Sequence, residues 1–214
     1  MNAGLSNLAT LKAWLLPESL RDATDYDAQI LAIGLGIAGQ LESFCNRKFA
    51  RVEDATCETS ANRSHVSLDR FPIEQVTTIE VRESLADGWV DQGTINEVVE
   101  NISAEAGLVG FGVALSALPT SRLRVTFTGG FFWEQLEPDD VGYPTAQPDG
   151  STALDDTVRL AWLLQCEHVW AQRDKLGLAI GKAASEIYGG ALAKIELLSA
   201  VREKLAGKIR FSLL

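Results

Sequence analysis

The sequence predicts an α+β fold, with helices packed around a small antiparallel sheet and a C-terminal linker, helix and extended tail. Three observations lead there. Apolar residues recur every three to four positions near both ends of the 214-residue chain, which is helical periodicity. Between about residues 49 and 130 the pattern changes to short alternating runs separated by turn residues, as half-buried strands require. Hydrophobic residues make up 46% of the chain and charged residues 22%, enough apolar material for one sizeable core and too much for a disordered chain.

The elements follow in order. Ser6 or Asn7 caps a first helix with Leu8, Leu11, Trp14 and Leu15 on one face, and Pro17 stops it. Thr24 to Asp27 opens a second helix whose stripe runs Ile30, Ile33, Ile37, Leu41, Phe44 and ends at Asn46-Arg47-Lys48, where cations suit the carbonyl end of the helix dipole. Strands are read at 66–68, 76–82, 89–90, 95–100 and 123–127, forming one antiparallel sheet. Residues 134–152 hold three prolines, two glycines and five acidic side chains without periodicity, a long loop of the kind used for contact. Asp155 or Asp156 caps a third helix with Val158, Ala161, Leu164 or Gln165, Val169 and the tryptophans 162 and 170, ending near Lys175 to Gly177. Residues 1–176 make the core, the Gly/Ala-rich stretch 177–193 a flexible linker, and 194–214 a docking helix and strand-like tail.

The formal charge of −10 argues against a protein whose main affinity is for nucleic-acid phosphates, because such binding depends on cations releasing counterions. The charge is uneven. Residues 1–60 hold 5 basic and 8 acidic side chains, residues 61–160 hold 6 and 16, and residues 161–214 hold 8 and 5, an acidic body followed by a mildly basic end. The longest uncharged stretch, Ala106 to Ser121, is broken by three glycines and Pro119 and is too short to span a membrane. The N-terminus lacks a signal-peptide layout, so a soluble chain kept in the cytoplasm, with no membrane partner, is expected. Cys45, Cys57 and Cys166 form no CxxC pair and are read as reduced, Cys45 and Cys166 in the core.

No motif offers catalysis, a cofactor or a metal. Gly34-Leu35-Gly36-Ile37-Ala38-Gly39 matches the letters of a dinucleotide fingerprint, but the residues from Asp25 are already helical in period and no strand leads in. Close helix packing, against the sheet or a neighbouring subunit, is the reading these glycines support. Gly177 to Ala183 is one residue short of a P-loop and lacks its hydroxyl. His65 and His168 are about a hundred residues apart, and Asp139, Asp140 and Asp149 lack the order of a calcium loop. The C-terminal helix and tail cannot bury their apolar face alone, and after a flexible linker, docking on another subunit is preferred here to folding back.

The order of the parts resembles one family. Leu8 to Leu15, then the helix Asp27 to Glu42 ending Phe44-Cys-Asn-Arg47-Lys-Phe49, resembles the start of tailed-phage head–tail connector (adaptor, or head-completion) proteins. Leu68-Asp-Arg-Phe-Pro72-Ile-Glu-Gln-Val76-Thr-Thr-Ile79-Glu-Val81, the run Val125-Thr-Phe127-Thr-Gly129-Gly130-Phe131, and the helix with Trp162 and Trp170 followed by Arg173 are similar to later pieces of that family, covering about residues 5 to 176. The resemblance implies a structural virion protein without enzymatic activity, made in the host cytoplasm. It implies a ring of about a dozen copies at the neck beneath the portal, extending a DNA channel that DNA traverses without specific binding, and a platform for the stopper or tail. It implies portal docking by the C-terminal Lys194, Ile195, Leu198, Val201, Arg202, Leu205, Lys208, Ile209, Arg210, Phe211, Leu213 and Leu214. The acidic side chains Glu134, Glu137, Asp139, Asp140 and Asp149 are expected to face the channel or the downstream partner. Two rival readings stand beside it: another neck or tail ring component such as a stopper or terminator, and an enzyme using Gly34 to Gly39 for a small ligand.

Overall fold

The structure, a computed structural model, describes residues 1–173 and 195–210; the expected linker at 177–193 and Lys194, Phe211, Leu213 and Leu214 lie outside them. In chain order the elements are α1 (Leu8–Leu15), α2 (Asp27–Cys45), β1 (Val52–Ser60), β2 (His65–Ser67), β3 (Ile73–Arg82), β4 (Val90–Asp91), α3 (Ile95–Val98), β5 (Asn101–Ser103), β6 (Leu108–Gly110), β7 (Arg122–Gly129), β8 (Phe131–Phe132), β9 (Thr152–Ala153), α4 (Asp156–Ala171) and α5 (Ser199–Leu205). The fold is α+β, and it divides into two compact units. One holds Met1–Cys45, Trp133–Pro148 and the described part of Ala153–Ile209; the other holds Asn46–Phe132, Asp149–Thr152 and Arg210.

In the helical unit α1 begins where the Asn7 side-chain oxygen accepts the Thr10 N–H at 3.0 Å, one of the two expected caps. Its inward side differs from the expected stripe. Lys12 is buried, because its ammonium donates to the Ala23 carbonyl at 2.8 Å and pairs with Asp27 at 2.6 Å while its stem packs inward. Trp14 is 46% exposed and donates its indole N–H to Glu167 at 3.2 Å. On α2 the expected residues Ile30, Ile33, Ile37 and Leu41 are buried. By length and composition α2 could pass for a membrane span, but its apolar face packs on α1 and α4, the arrangement of a core helix. Asp155 caps α4 by accepting the Thr157 N–H at 2.7 Å. Trp162, fully buried on α4, donates to the Gly34 carbonyl at 2.9 Å. Gly34 also approaches the N-terminal segment so closely that a methyl group there would lie 2.1 Å from the Ala3 carbonyl oxygen. The Gly34–Gly39 segment is thus helix interior, with no strand-to-helix turn and no phosphate cradle.

Where one antiparallel sheet was expected, the sheet unit contains two, besides the pairing of β8 with β9. The larger has strand order β1-β7-β3-β4, the smaller β2-β6-β5. The smaller arises because β5 and β6 are joined by a single turn, Ala104–Ala106, closed by Gly107 in the left-handed conformation, giving three-residue strands too short to lengthen the main sheet. A register shift between Val76 and Thr78 lets Val76 and Ile79, three apart, both face inward. They meet Leu123, Val125 and Phe127 of β7 and Val66, Leu68 and Val109 in one buried cluster. Residues 95–98, expected to extend as a strand, form the helical turn α3, which sets Ile95, Val98 and Val99 against that cluster at helical spacing.

Arg47 does not lie free at the end of α2. It is 5% exposed, with its guanidinium carbon 3.3 Å from the Phe71 ring centroid, 5.1 Å from Phe131 and 5.3 Å from Phe49. A planar, weakly hydrated cation suits such an aromatic surround better than an ammonium would.

Candidate docking surfaces

The C-terminal segment is built onto α4. Gln165, fully buried, accepts the Leu198 N–H at 3.0 Å and donates to the Glu196 carbonyl at 3.2 Å, so its amide clamps the chain just before α5. Val201 and Leu205 are fully buried and α5 packs on α4. This corrects the expectation that the helix offers its apolar face to another subunit. Burying two such side chains is worth about 3–6 kcal/mol, far more than a single short helix gains alone. The helix runs Ser199–Leu205 before a final tight turn at Ala206–Lys208.

The remaining expected docking residues are placed as follows. Ile195, Leu198, Lys208, Ile209 and Arg210 are half-buried, and Arg202 is exposed, 3.6 Å from Glu196. Lys208 pairs with Asp155 at 2.6 Å. Burial pushes the Asp155 carboxyl up, but the Lys208 ammonium and the Thr157 N–H outweigh it and hold the group below its ordinary value. Arg210, in the sheet unit, donates to the Ser67 hydroxyl at 2.8 Å and to the Ser67 carbonyl at 2.5 Å. Of the basic side chains on α5 itself, Arg202 and Lys204 face solvent.

The acidic loop is tied down by its own carboxylates. Glu137 accepts from the Leu8 N–H at 2.8 Å, the Ala9 N–H at 3.0 Å and the Met1 amine at 2.7 Å, which places a negative charge at the positive end of α1. Glu134 accepts from the Leu136 N–H at 2.8 Å and from the Thr145 N–H and hydroxyl at 2.5 and 2.9 Å. Desolvation pushes Glu134 up, and these donors pull it below its ordinary value. Asp139, Asp140 and Asp149 are exposed, with Asp140 accepting the Glu137 N–H at 2.8 Å. Glu134, Glu137 and Asp140 therefore hold the loop's shape, and its three aspartates are exposed.

The other residues weighed in the sequence stay apart. The ring of His168 is 3.1 Å from the Gln172 amide, and His65 is exposed beside an open cleft of about 380 Å³ lined by Ser64, Glu100, Asn101, Leu108 and Gly110. Ser64 Oγ lies 3.4 Å from His65 Nδ1, long for a nucleophile–base hydrogen bond. Among the described residues no three His, Cys, Asp or Glu side chains are grouped to hold a metal ion. Cys45 and Cys166 are buried and Cys57 is half-buried, all as free thiols; burial raises the Cys166 thiol well above its ordinary value. The Gln165 clamp and the Glu137 cap were missed in the sequence. Gln165 had one signal, a polar residue at a position where the helical period called for an apolar one.

No protein-family model and no curated protein matches the sequence. Solved structures do. A chain in the neck of an empty gene transfer agent (GTA) particle, computed with C6 symmetry, superimposes with a TM-score of 0.58 at 16% identity, covering 99% of this chain and 93% of that one. A chain in the virion of the native gene transfer agent particle matches with a TM-score of 0.50 at 15% identity, covering 92% and 93%. The fold is similar to that of a chain in a particle neck. The likeness is one of fold, and at 99% coverage it runs through both the helical and the sheet unit of this chain.

Proposed function

We propose that this protein is a structural subunit of the head–tail junction of a virion or gene-transfer particle, without enzymatic activity. Copies assemble as a ring beneath the portal, prolong the channel through which DNA passes, and give the stopper or tail its platform. The observation that carries this reading is the fold likeness to a chain from a particle neck over 99% of this chain and 93% of that one. The motif order that resembles tailed-phage adaptors supports it independently, because that order was read from residues and not from shape. On this reading the basic C-terminal part meets the portal through what α5 leaves exposed, Arg202 and Lys204 first, and the acidic body lets DNA slide past.

The test is electron microscopy of the purified chain mixed with portal rings, paired with particles made without it. The expected result is an added ring on the portal, and particles that package DNA but carry no tails. Arg202→Glu with Lys204→Glu should abolish the added ring while the chain stays folded. A chain that ignores portals and caps tail tubes would be a terminator, and the adaptor assignment would fail.

A further inference from the structure

One row of charges on the outer face of the four-stranded sheet does not serve the sheet's own stability. Register places Arg124 on β7 between Glu58 of β1 and Glu80 of β3, and the next row places Arg122 opposite Ser60 and opposite Arg82. The first row is complementary: Arg124 reaches Glu80 through two bonds of 2.7 Å. The second sets two arginines directly across from each other, and like charges in that position destabilise a strand pair. Trp89, from the β3–β4 connection, lies 4.4 Å from the Arg82 guanidinium carbon and 4.5 Å from that of Arg124. Arg82 meets Glu58 only at 3.7 Å, its Nε is buried without an acceptor, and Arg122 is exposed. The result is a cationic, aromatic patch within a segment, residues 61–160, that holds 16 acidic and 6 basic side chains.

We propose that this patch receives the acidic turn Pro138-Asp139-Asp140-Val141 of a second copy of the chain. This rests on the ring reading above and names the contact within it. In a chain of net charge −10, copies repel except where opposite charges meet. The turn supplies two adjacent exposed carboxylates and a fully exposed Val141; the patch supplies Arg122, the partly exposed guanidinium of Arg82 and the indole of Trp89. One copy's sheet face taking the next copy's turn is a head-to-tail contact, the type that repeats and closes into a ring. A nucleic-acid strand fits the patch less well. Of its three guanidinium groups one is already doubly bonded to Glu80, and phosphate affinity grows with the number of free cations.

The test measures assembly mass, by native mass spectrometry and sedimentation of the full chain, alone and with portal rings. Arg122→Glu and Asp139→Lys/Asp140→Lys should each lower the association constant by roughly ten-fold or more. Combining all three substitutions on one chain should restore it; Asp139→Lys alone, which leaves the Asp140 bond to the Glu137 N–H in place, should also weaken association, with circular dichroism unchanged. If the wild-type chain assembles and neither variant shifts its mass, the contact is wrong and the ring reading stands. If the wild-type chain stays monomeric with and without portals, the ring reading fails and the contact with it. Binding of a labelled DNA oligonucleotide that Arg122→Glu abolishes would reassign the patch to nucleic acid.

Discussion

A methyl group added at Gly34 would lie 2.1 Å from the Ala3 carbonyl oxygen and 2.8 Å from a Leu11 methyl, whereas one added at Gly39 meets nothing within 4 Å. Both glycines lie inside α2, where each costs about 1 kcal/mol relative to alanine. Only Gly34 recovers that cost within the chain, through the close approach of the N-terminal segment and the Trp162 hydrogen bond to its carbonyl. The two alanine variants should therefore move stability in opposite directions. Gly34→Ala is expected to destabilise by about 2–3 kcal/mol, as overpacking of a tight contact does, and Gly39→Ala to stabilise by up to about 1 kcal/mol. Urea unfolding followed by tryptophan fluorescence reads both. Equal shifts of the same sign would show that helix propensity, not the Ala3 contact, governs this face. The same pair bears on what GxGxxG means here: Gly34 is shaped by packing against its own chain.

At the scale of elements, α5 is held by three unlike devices: the buried side chains Val201 and Leu205, the Gln165 amide, and the Lys208–Asp155 pair. The last is sensitive to pH. Asp155 has its carboxyl held below the ordinary value in the folded chain. A carboxylate depressed on folding contributes stability that is fully present above its unfolded pKa, about 3.9, and is lost as pH falls through the lower folded value. Acidification through that window should loosen the end of the segment at Lys208 ahead of α5 itself, and hydrogen exchange of the 206–209 amides should report it. Lys208→Met should remove this acid dependence while leaving the Val201 and Leu205 contacts; an unchanged profile would mean that the Thr157 cap alone sets the shift. Legibility in the sequence follows the same division. The helices α1, α2 and α4 were readable to within a few residues, because Asn7, Asp155 and the apolar periods of α2 and α4 act locally. Readings failed where partners distant in sequence decide: Lys12 replaces Trp14 inside because Asp27 waits for it, residues 95–98 coil because the sheet cluster takes Ile95 and Val98 together, and α5 folds back because α4 carries Gln165. Of the candidate surfaces, the sequence marked out the acidic loop and the basic end as segments. It could not separate the carboxylates that hold the loop, Glu134, Glu137 and Asp140, from those that do not.

For the whole molecule, the net charge of −10 acts at distances that single contacts do not reach. In the role proposed above, a channel subunit must let a polyanion travel past without capture. Each phosphate held by a cation releases a counterion and adds affinity, so a conduit does best with few free cations and a net repulsive field. The structure moves this chain further that way than its composition alone suggests. Arg47 is enclosed by three phenylalanines, Arg51 and Arg124 are bonded to Glu74 and Glu80, and Lys12, Lys208 and Arg210 are engaged by Asp27, Asp155 and Ser67. Many of the cations that could hold a phosphate are already occupied, while Asp139, Asp140 and Asp149 remain exposed. The chain should therefore show no saturable binding of duplex DNA at physiological salt up to concentrations of about 10⁻⁴ M, the weak end of ordinary non-specific binding. Fluorescence anisotropy of a labelled duplex, repeated from about 50 to 200 mM salt, measures this directly. Binding tighter than that limit with a steep fall in rising salt would mean that free cations are gathered on one face. The proposed role as a conduit for DNA would then be wrong.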